Sequence, residues 1–325
     1  MFEGDALKKL KFGVFLPFYA YRPEETHSTT HFDFVRDTAL ECERLGYHSV
    51  WLDDHLMFKN SSILECWTTL SALSAVTEKI RMGTMVTCNT FRNPALLAKM
   101  AATVDVISGG RLEFAIGAGV QEAEHAAYGL PFPKPSARIN RLREAVEIIK
   151  KLWSEEAANY NGEHYRIDSA VCEPKPLQNP HPPITIAGAG EKMTLHITAQ
   201  HADRFDWGYQ PSMTTYKHKL DVLQQHCSAL GRNFEEIEKS CWPGGQVFIA
   251  PDRQELERKL ALRTPENVSR EDFEKLCLAG TPAECTRTLQ AYADLGVTFF
   301  MLFFGDLPSV DGLRLFAETV VKKLG

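Results

Sequence analysis

The feature that most constrains this chain is an end-to-end alternation of short apolar runs with longer stretches of helical period. Residues 11–16 (KFGVFL) form an apolar run stopped by Pro17 and read as the first strand. From Asp33, read as a cap, Phe34, Val35, Thr38, Ala39, Cys42 and Leu45 fall on one helical face, and Gly46 ends the pattern. Residues 48–52, 80–86, 111–116, 183–187, 204–207, 246–250 and 297–303 read as strands two to eight. Helices are expected over 63–76, 93–107, 138–153, 191–201, 214–230 and 281–295, with a last one running to Lys323. Asn93-Pro94 pairs a cap with proline at the first helical position, and Thr281-Pro282-Ala283-Glu284 reads as a capping box. Residues 163–167 suggest a small surface hairpin. The strands are apolar throughout rather than alternating, as in a parallel sheet buried on both faces. The expected fold class is α/β: a (β/α)8 TIM barrel, one domain over 1–325, with insertions near 121–137, 155–182 and 251–280. A doubly wound sheet would want G-x-G-x-x-G after the first strand, and none is present.

Composition narrows the function classes. Hydrophobic residues make up 44% and charged residues 24%, so the chain is globular rather than disordered. A net charge of -6 with no basic stripe argues against nucleic acid as a partner. No run approaches the ~20 apolar residues of a membrane span, and residues 1–11 lack the apolar core of a signal peptide. Eight scattered cysteines without a C-x-x-C read as reduced thiols of a cytoplasmic protein, and no spacing suits zinc. Strand 1 carries no H-x-H, and His27 and His31 fall in a polar stretch read as a loop, so a catalytic metal is not expected.

In such a barrel, function sits just after the carboxyl ends of the strands. Two constellations stand out there. Ala187-Gly188-Ala189-Gly190-Glu191-Lys192 joins a strand to a helix, and it reads either as a backbone cradle for a phosphate or as a plain tight turn. Asp54-His55 follows strand 2, and it reads either as a carboxylate–imidazole pair that handles a proton or as a cap beside a packed histidine. Cys88, at the end of strand 3, reads as a small residue packing near a ligand rather than as a nucleophile. Phe18, Tyr19, Tyr21, Phe91 and Trp207 are candidates for pocket walls or for core. Arg138 and Glu144 are read as a structural ion pair.

Several long segments resemble the bacterial luciferase-like family of flavin and deazaflavin oxidoreductases. They are LGYHSVWLDDHL (45–56), KIRMGTMVTCNTFRNPALLAKMAATVDVISGGRLEFAIGAG (79–119), EAEHAAYGLPFP (122–133), RINRLREAVEIIKKLW (138–153), PPITIAGAGEKMTLHITAQHAD (182–203) and GTPAECTRTLQAYADLGVTFFML (280–302). The resemblance implies the same barrel, and it points to the branch that uses coenzyme F420, a deazaflavin hydride carrier, among which are methylenetetrahydromethanopterin reductases. On that basis Asp54 and His55 are the expected catalytic residues. Asp54, Met85, Val86, Cys88, Ala187, Gly188, Ala189 and Gly190 are the expected cofactor-binding residues. The Met85–Val86 bond matches a cis peptide that backs the ring in the family. Two positions depart from the sugar-phosphate dehydrogenases of the branch. Val120 stands where they carry a catalytic Glu, and Leu56-Met57-Phe58-Lys59 where they carry a Trp.

The resemblance therefore implies an F420-dependent oxidoreductase acting on a small organic substrate. The alternative is an FMN-dependent monooxygenase fed by a partner reductase, and the third reading is a member without chemistry. The resemblance also implies a homodimer.

Overall fold

Eight parallel strands close into a ring, and every neighbouring pair is hydrogen-bonded. In the computed structural model, residues 9–17, 30–58, 61–209 and 212–325 are described. The strands are β1 (Lys11–Phe15), β2 (Ser49–Leu52), β3 (Arg81–Thr84), β4 (Leu112–Gly117), β5 (Ile184–Ala187), β6 (Arg204–Asp206), β7 (Glu238–Cys241) and β8 (Val297–Leu302). They pair in that order, and β8 returns to β1 with Phe12 opposite Phe300. This is the α/β barrel expected from the alternation, with helices between the strands. Its core includes fully buried Phe12, Trp51, Phe114, Phe205 and Phe299, because both faces of each strand are covered.

The seventh strand is a correction. The apolar run at 246–250 is not part of the barrel. Val247–Ile249 pairs instead with Leu278–Gly280 as a separate two-stranded parallel sheet. Two short helices connect them, Arg253–Ala261 and Arg270–Lys275, over a satellite core of Phe248, Leu256, Leu260 and Phe273. The barrel position is taken by Glu238-Lys239-Ser240-Cys241, a polar string buried by its neighbours. Glu238 accepts from Arg204 Nε at 2.8 Å and pairs with Lys11 at 2.9 Å.

These groups belong to an ion network at the amino-terminal ends of the strands. Arg204 donates to both Glu113 and Glu238 at 2.8 Å, and Arg81 also binds Glu113. Burial alone would raise the Glu113 carboxyl, but Arg204 and Arg81 outweigh it and hold it at about 2. The network plugs one end of the barrel and leaves the other for function.

Three connecting helices position the site: α1 (Thr30–Leu45), α2 (Cys66–Val76) and α3 (Pro94–Ile107). Helix α1 begins before Asp33, which lies in its first turn, so His31 is helical rather than in a loop. Helix α2 begins at Cys66 rather than 63 because Glu65 caps it, accepting from Thr68 N–H at 2.7 Å. Asn93 caps α3 as its sequence suggests, accepting from Ala95 N–H at 2.9 Å. Two further helices, α4 (Glu122–Ala127) and α5 (Pro135–Ser154), fill the segment after β4. The surface hairpin pairs Ala158–Asn161 with Arg166–Ala170 and so extends beyond the residues expected for it. The Glu284 carboxylate reaches back to the Thr281 N–H at 2.8 Å, as the capping box requires. Among the described residues no helix is long and apolar enough to cross a membrane.

Arg138 and Glu144 do not pair. Arg138 donates to the Pro133 and Gly119 carbonyls and lies over the Phe132 ring. Buried Glu144 instead accepts the backbone N–H groups of Glu163, His164 and Tyr165, which fastens α5 to the hairpin.

Candidate active site

A cavity of about 340 Å³ opens at the carboxyl ends of the strands. Asp53, Asp54 and His55 follow β2 into it, and Met85, Val86 and Cys88 follow β3. Gly117 to Gln121 after β4, Ala187 and Gly188 after β5, and Asp206 to Gly208 after β6 complete most of its wall. Phe91 and Trp242 add aromatic surface. Seven of the nine expected site residues therefore meet in one cavity: Asp54, His55, Met85, Val86, Cys88, Ala187 and Gly188. Ala189 and Gly190 are not among its lining residues. Of the aromatic candidates, Phe91 and Trp207 reach the wall, while Phe18, Tyr19 and Tyr21 lie outside the described residues.

The Met85–Val86 peptide is cis, the geometry the resemblance implied for it. It interrupts β3, and the chain resumes pairing at Thr87 and Cys88, opposite Ile116 and Gly117. The interruption is stitched locally. Thr84 and Thr87 hydroxyls meet at 2.6 Å, and Met85 N–H donates to the Leu52 carbonyl at 2.7 Å. Gly117 makes room for the resulting ledge, since a Cβ there would lie 2.9 Å from Val86 Cγ2.

Asp54 and His55 do different things although they are adjacent. Asp54 is buried, with only 3% of it exposed. Its carboxylate accepts the Cys88 N–H at 2.9 Å and two Arg92 hydrogen bonds at 2.5 and 2.9 Å. Burial pushes this carboxyl up, and Arg92 and the Cys88 N–H pull it down. Arg92 also binds the cap residue Glu65 at 2.6 Å, so one guanidinium joins the ends of β2 and β3 to the start of α2.

His55 is held from both ring nitrogens. Nδ1 lies 2.6 Å from Glu124 Oε1 of α4, and Nε2 lies 3.1 Å from Asp53 Oδ2. Burial alone would lower its pKa, but the two carboxylates outweigh burial and lift it to about 9. Glu124 also accepts the Leu56 N–H at 2.8 Å, and the His55 ring packs on Phe58. Neighbouring His125 is fully buried, donates from Nδ1 to the Gln121 carbonyl and meets the Thr90 hydroxyl at 2.7 Å.

The Cys88 thiol is buried and meets the Thr90 hydroxyl at 3.2 Å. Burial pushes the thiol up to about 11, so it stays protonated near neutral pH.

The glycine turn also differs from expectation. The helix after it, α6 (Thr194–His201), starts at Thr194 rather than 191. The Gly188 N–H already donates to the Asp206 carbonyl at 2.9 Å, which removes one of the three backbone donors expected to face a phosphate.

Asp53 stands at a strand end and Glu124 in the Glu-rich segment that the family resemblance covers, whereas nothing local in the sequence marks Arg92, Asp206 or Trp242 as site residues. Asp206 is buried and accepts from the Gly208 N–H at 2.6 Å and from Ser240.

Fold and site together define a barrel enzyme with a ligand cavity at the carboxyl-terminal mouth. The family model of luciferase-like monooxygenases matches residues 10–265, and the chain belongs to that family, so it is an oxidoreductase. It is 29% identical over 293 residues to an F420-dependent glucose-6-phosphate dehydrogenase of Kineococcus radiotolerans, covering 81% of this chain and 85% of that one. Among solved structures it resembles the monooxygenase RslO1 of Streptomyces bottropensis (25% identity, TM-score 0.82), covering 97% of this chain and all of that one. It also resembles an F420-dependent secondary alcohol dehydrogenase (21% identity, TM-score 0.79), with 96% and 98% covered.

Proposed function

We propose that this protein is a coenzyme F420-dependent oxidoreductase acting on a small organic substrate. The observation that carries the reading is the pairing, in one cavity, of an apolar ledge at Met85–Val86 with a His55 that two carboxylates flank. The lining suits a flat ring system. Met85, Val86, Phe91, Val120, Trp207 and Trp242 offer apolar surface, and Asp53, His55 and backbone groups offer polar partners. When bound, the deazaflavin supplies a hydride. Met85 and Val86 would support the ring, Ala187 and Gly188 would border it, and Asp54 with Arg92 keeps the ledge in place. His55 manages the proton that accompanies the hydride.

The F420-dependent relative supports this cofactor, and the monooxygenase neighbour marks FMN as the alternative. A sugar phosphate is disfavoured as substrate. Val120 offers no proton-handling group, and among the described lining residues no Lys or Arg faces the cavity. We further propose a cytoplasmic homodimer. The eight cysteines, all unpaired and seven of them buried, suit a reducing compartment.

The test is a fluorescence titration with F420 and, separately, FMN. Wild type is compared with Val120→Asp, a change at an exposed wall position that leaves the core untouched. F420 binding that weakens in the variant supports the reading. Preferential FMN binding moves the assignment to oxygen-dependent chemistry, and binding of neither contradicts both.

A further inference from the structure

We propose that Asp53 and Glu124 form a two-sided carboxylate clamp that holds His55 as an imidazolium, making it the proton donor of the site. Asp53 and Glu124 act through His55 and are positioning residues. The inference rests on the reading of the cavity as the active site.

The argument begins with hydrogen-bond chemistry. A neutral imidazole has one donor nitrogen and one acceptor nitrogen. A carboxylate facing the acceptor nitrogen would oppose it lone pair to lone pair. Here Glu124 Oε1 is hydrogen-bonded to Nδ1 at 2.6 Å and Asp53 Oδ2 stands 3.1 Å from Nε2 at ion-pair distance, so a proton on each nitrogen turns both contacts attractive. Among the described residues, Asp53 and Glu124 are the charged partners recorded for the ring. The adjacent Asp54 is taken up by Arg92, and Asp206 is taken up by Gly208 and Ser240.

The two carboxylates are not equivalent. The Glu124 side chain is 5% exposed and is fixed by a second hydrogen bond, from the Leu56 N–H at 2.8 Å. That of Asp53 is 29% exposed, lines the cavity and makes the longer contact. Glu124 is therefore the fixed anchor. The Asp53 side is where a substrate atom takes the place of the carboxylate and receives the Nε2 proton.

The balance of the step follows. In a reduction, the deazaflavin would supply a hydride to an unsaturated carbon of the substrate, the π electrons would move to the neighbouring atom, and that atom would take the proton from Nε2. His55 is left neutral, with Nδ1–H still donated to Glu124, and Asp53 passes it a new proton from solvent. A donor of this kind suits reduction of a polarised double bond. Oxidation of an alcohol would need the same nitrogen bare.

The test needs no cofactor or substrate. The histidine ring signals of the protein are titrated by heteronuclear NMR, with His55→Gln used to assign the resonance. The expected result is a His55 midpoint near pH 9 with both nitrogens protonated at neutral pH. It should drop by roughly 1–3 pH units in Glu124→Gln and in Asp53→Asn. Glu124→Gln keeps an oxygen for the Leu56 N–H, so loss of the loop is not the cause of a shift. A wild-type midpoint in the ordinary histidine range overturns the clamp, as does a midpoint that neither substitution moves. Failure to bind F420 would overturn the cofactor assignment and leave this result standing.

Discussion

Arg92 grips Asp54 through two hydrogen bonds of 2.5 and 2.9 Å, and the same carboxylate holds the Cys88 N–H just beyond the Met85–Val86 ledge. The pair thus fixes the backbone on which the apolar side of the cavity is built. Removing one partner strands the other charge in the interior. Arg92→Ala should cost about 3–5 kcal/mol in denaturant unfolding, and Arg92→Lys should recover little because an ammonium cannot fill both positions. A loss below about 1 kcal/mol, the range of a surface pair, would show that the contact is ornamental.

The opposite end of the barrel sets the response to acid. Glu113 has a folded pKa near 2, below its ordinary value of 4.5, so its stabilisation is complete above 4.5 and is lost as pH falls toward 2. Burial lowers His48 to about 4, so between 6.5 and 4 the unfolded chain takes up a proton that the folded chain refuses. His201 behaves in the same way. Urea midpoints should therefore fall steadily from neutral pH downward. Glu113→Gln should flatten the most acidic part of the curve, and unchanged midpoints down to pH 4 would contradict the histidine argument.

His55 has the opposite sign. Its folded pKa is raised, so its contribution is present below 6.5 and is lost as pH rises through about 9. A small alkaline loss of stability is expected in wild type and should be absent in His55→Gln.

Close packing makes Gly83 a sensitive position. A Cβ there would lie 2.3 Å from the Glu113 carbonyl oxygen and 2.7 Å from the Trp51 ring. Gly83→Ala should destabilise by about 1–3 kcal/mol in the same unfolding assay, because backbone rather than a flexible side chain must yield. A neutral substitution would mean that β3 and β4 are less tightly registered than described.

Much of the barrel is legible in the sequence because burial on both faces leaves an apolar run, as in Val297–Leu302 and Leu112–Gly117. The seventh strand is not, because Glu238 and Lys239 are buried by ion pairs and a carbonyl contact rather than by being apolar. The apolar run at 247–249 belongs instead to the satellite core. The site is legible to the same extent. Strand-end positions locate Asp54, His55 and Cys88, and the family resemblance adds Met85 and Val86, whereas Glu124 meets His55 across 69 residues and Arg92 meets Asp54 across 38. No local pattern encodes those distances. The start of α6 at Thr194 was also hidden, since Glu191-Lys192-Met193 reads as helix by composition.

The central claim is that the cavity at the mouth of the barrel selects a deazaflavin. Equilibrium dialysis of the wild-type protein against F420 and FMN at equal concentration tests it most directly. The account predicts retention of F420 with FMN left in the dialysate. Retention of FMN in preference to F420 would contradict it.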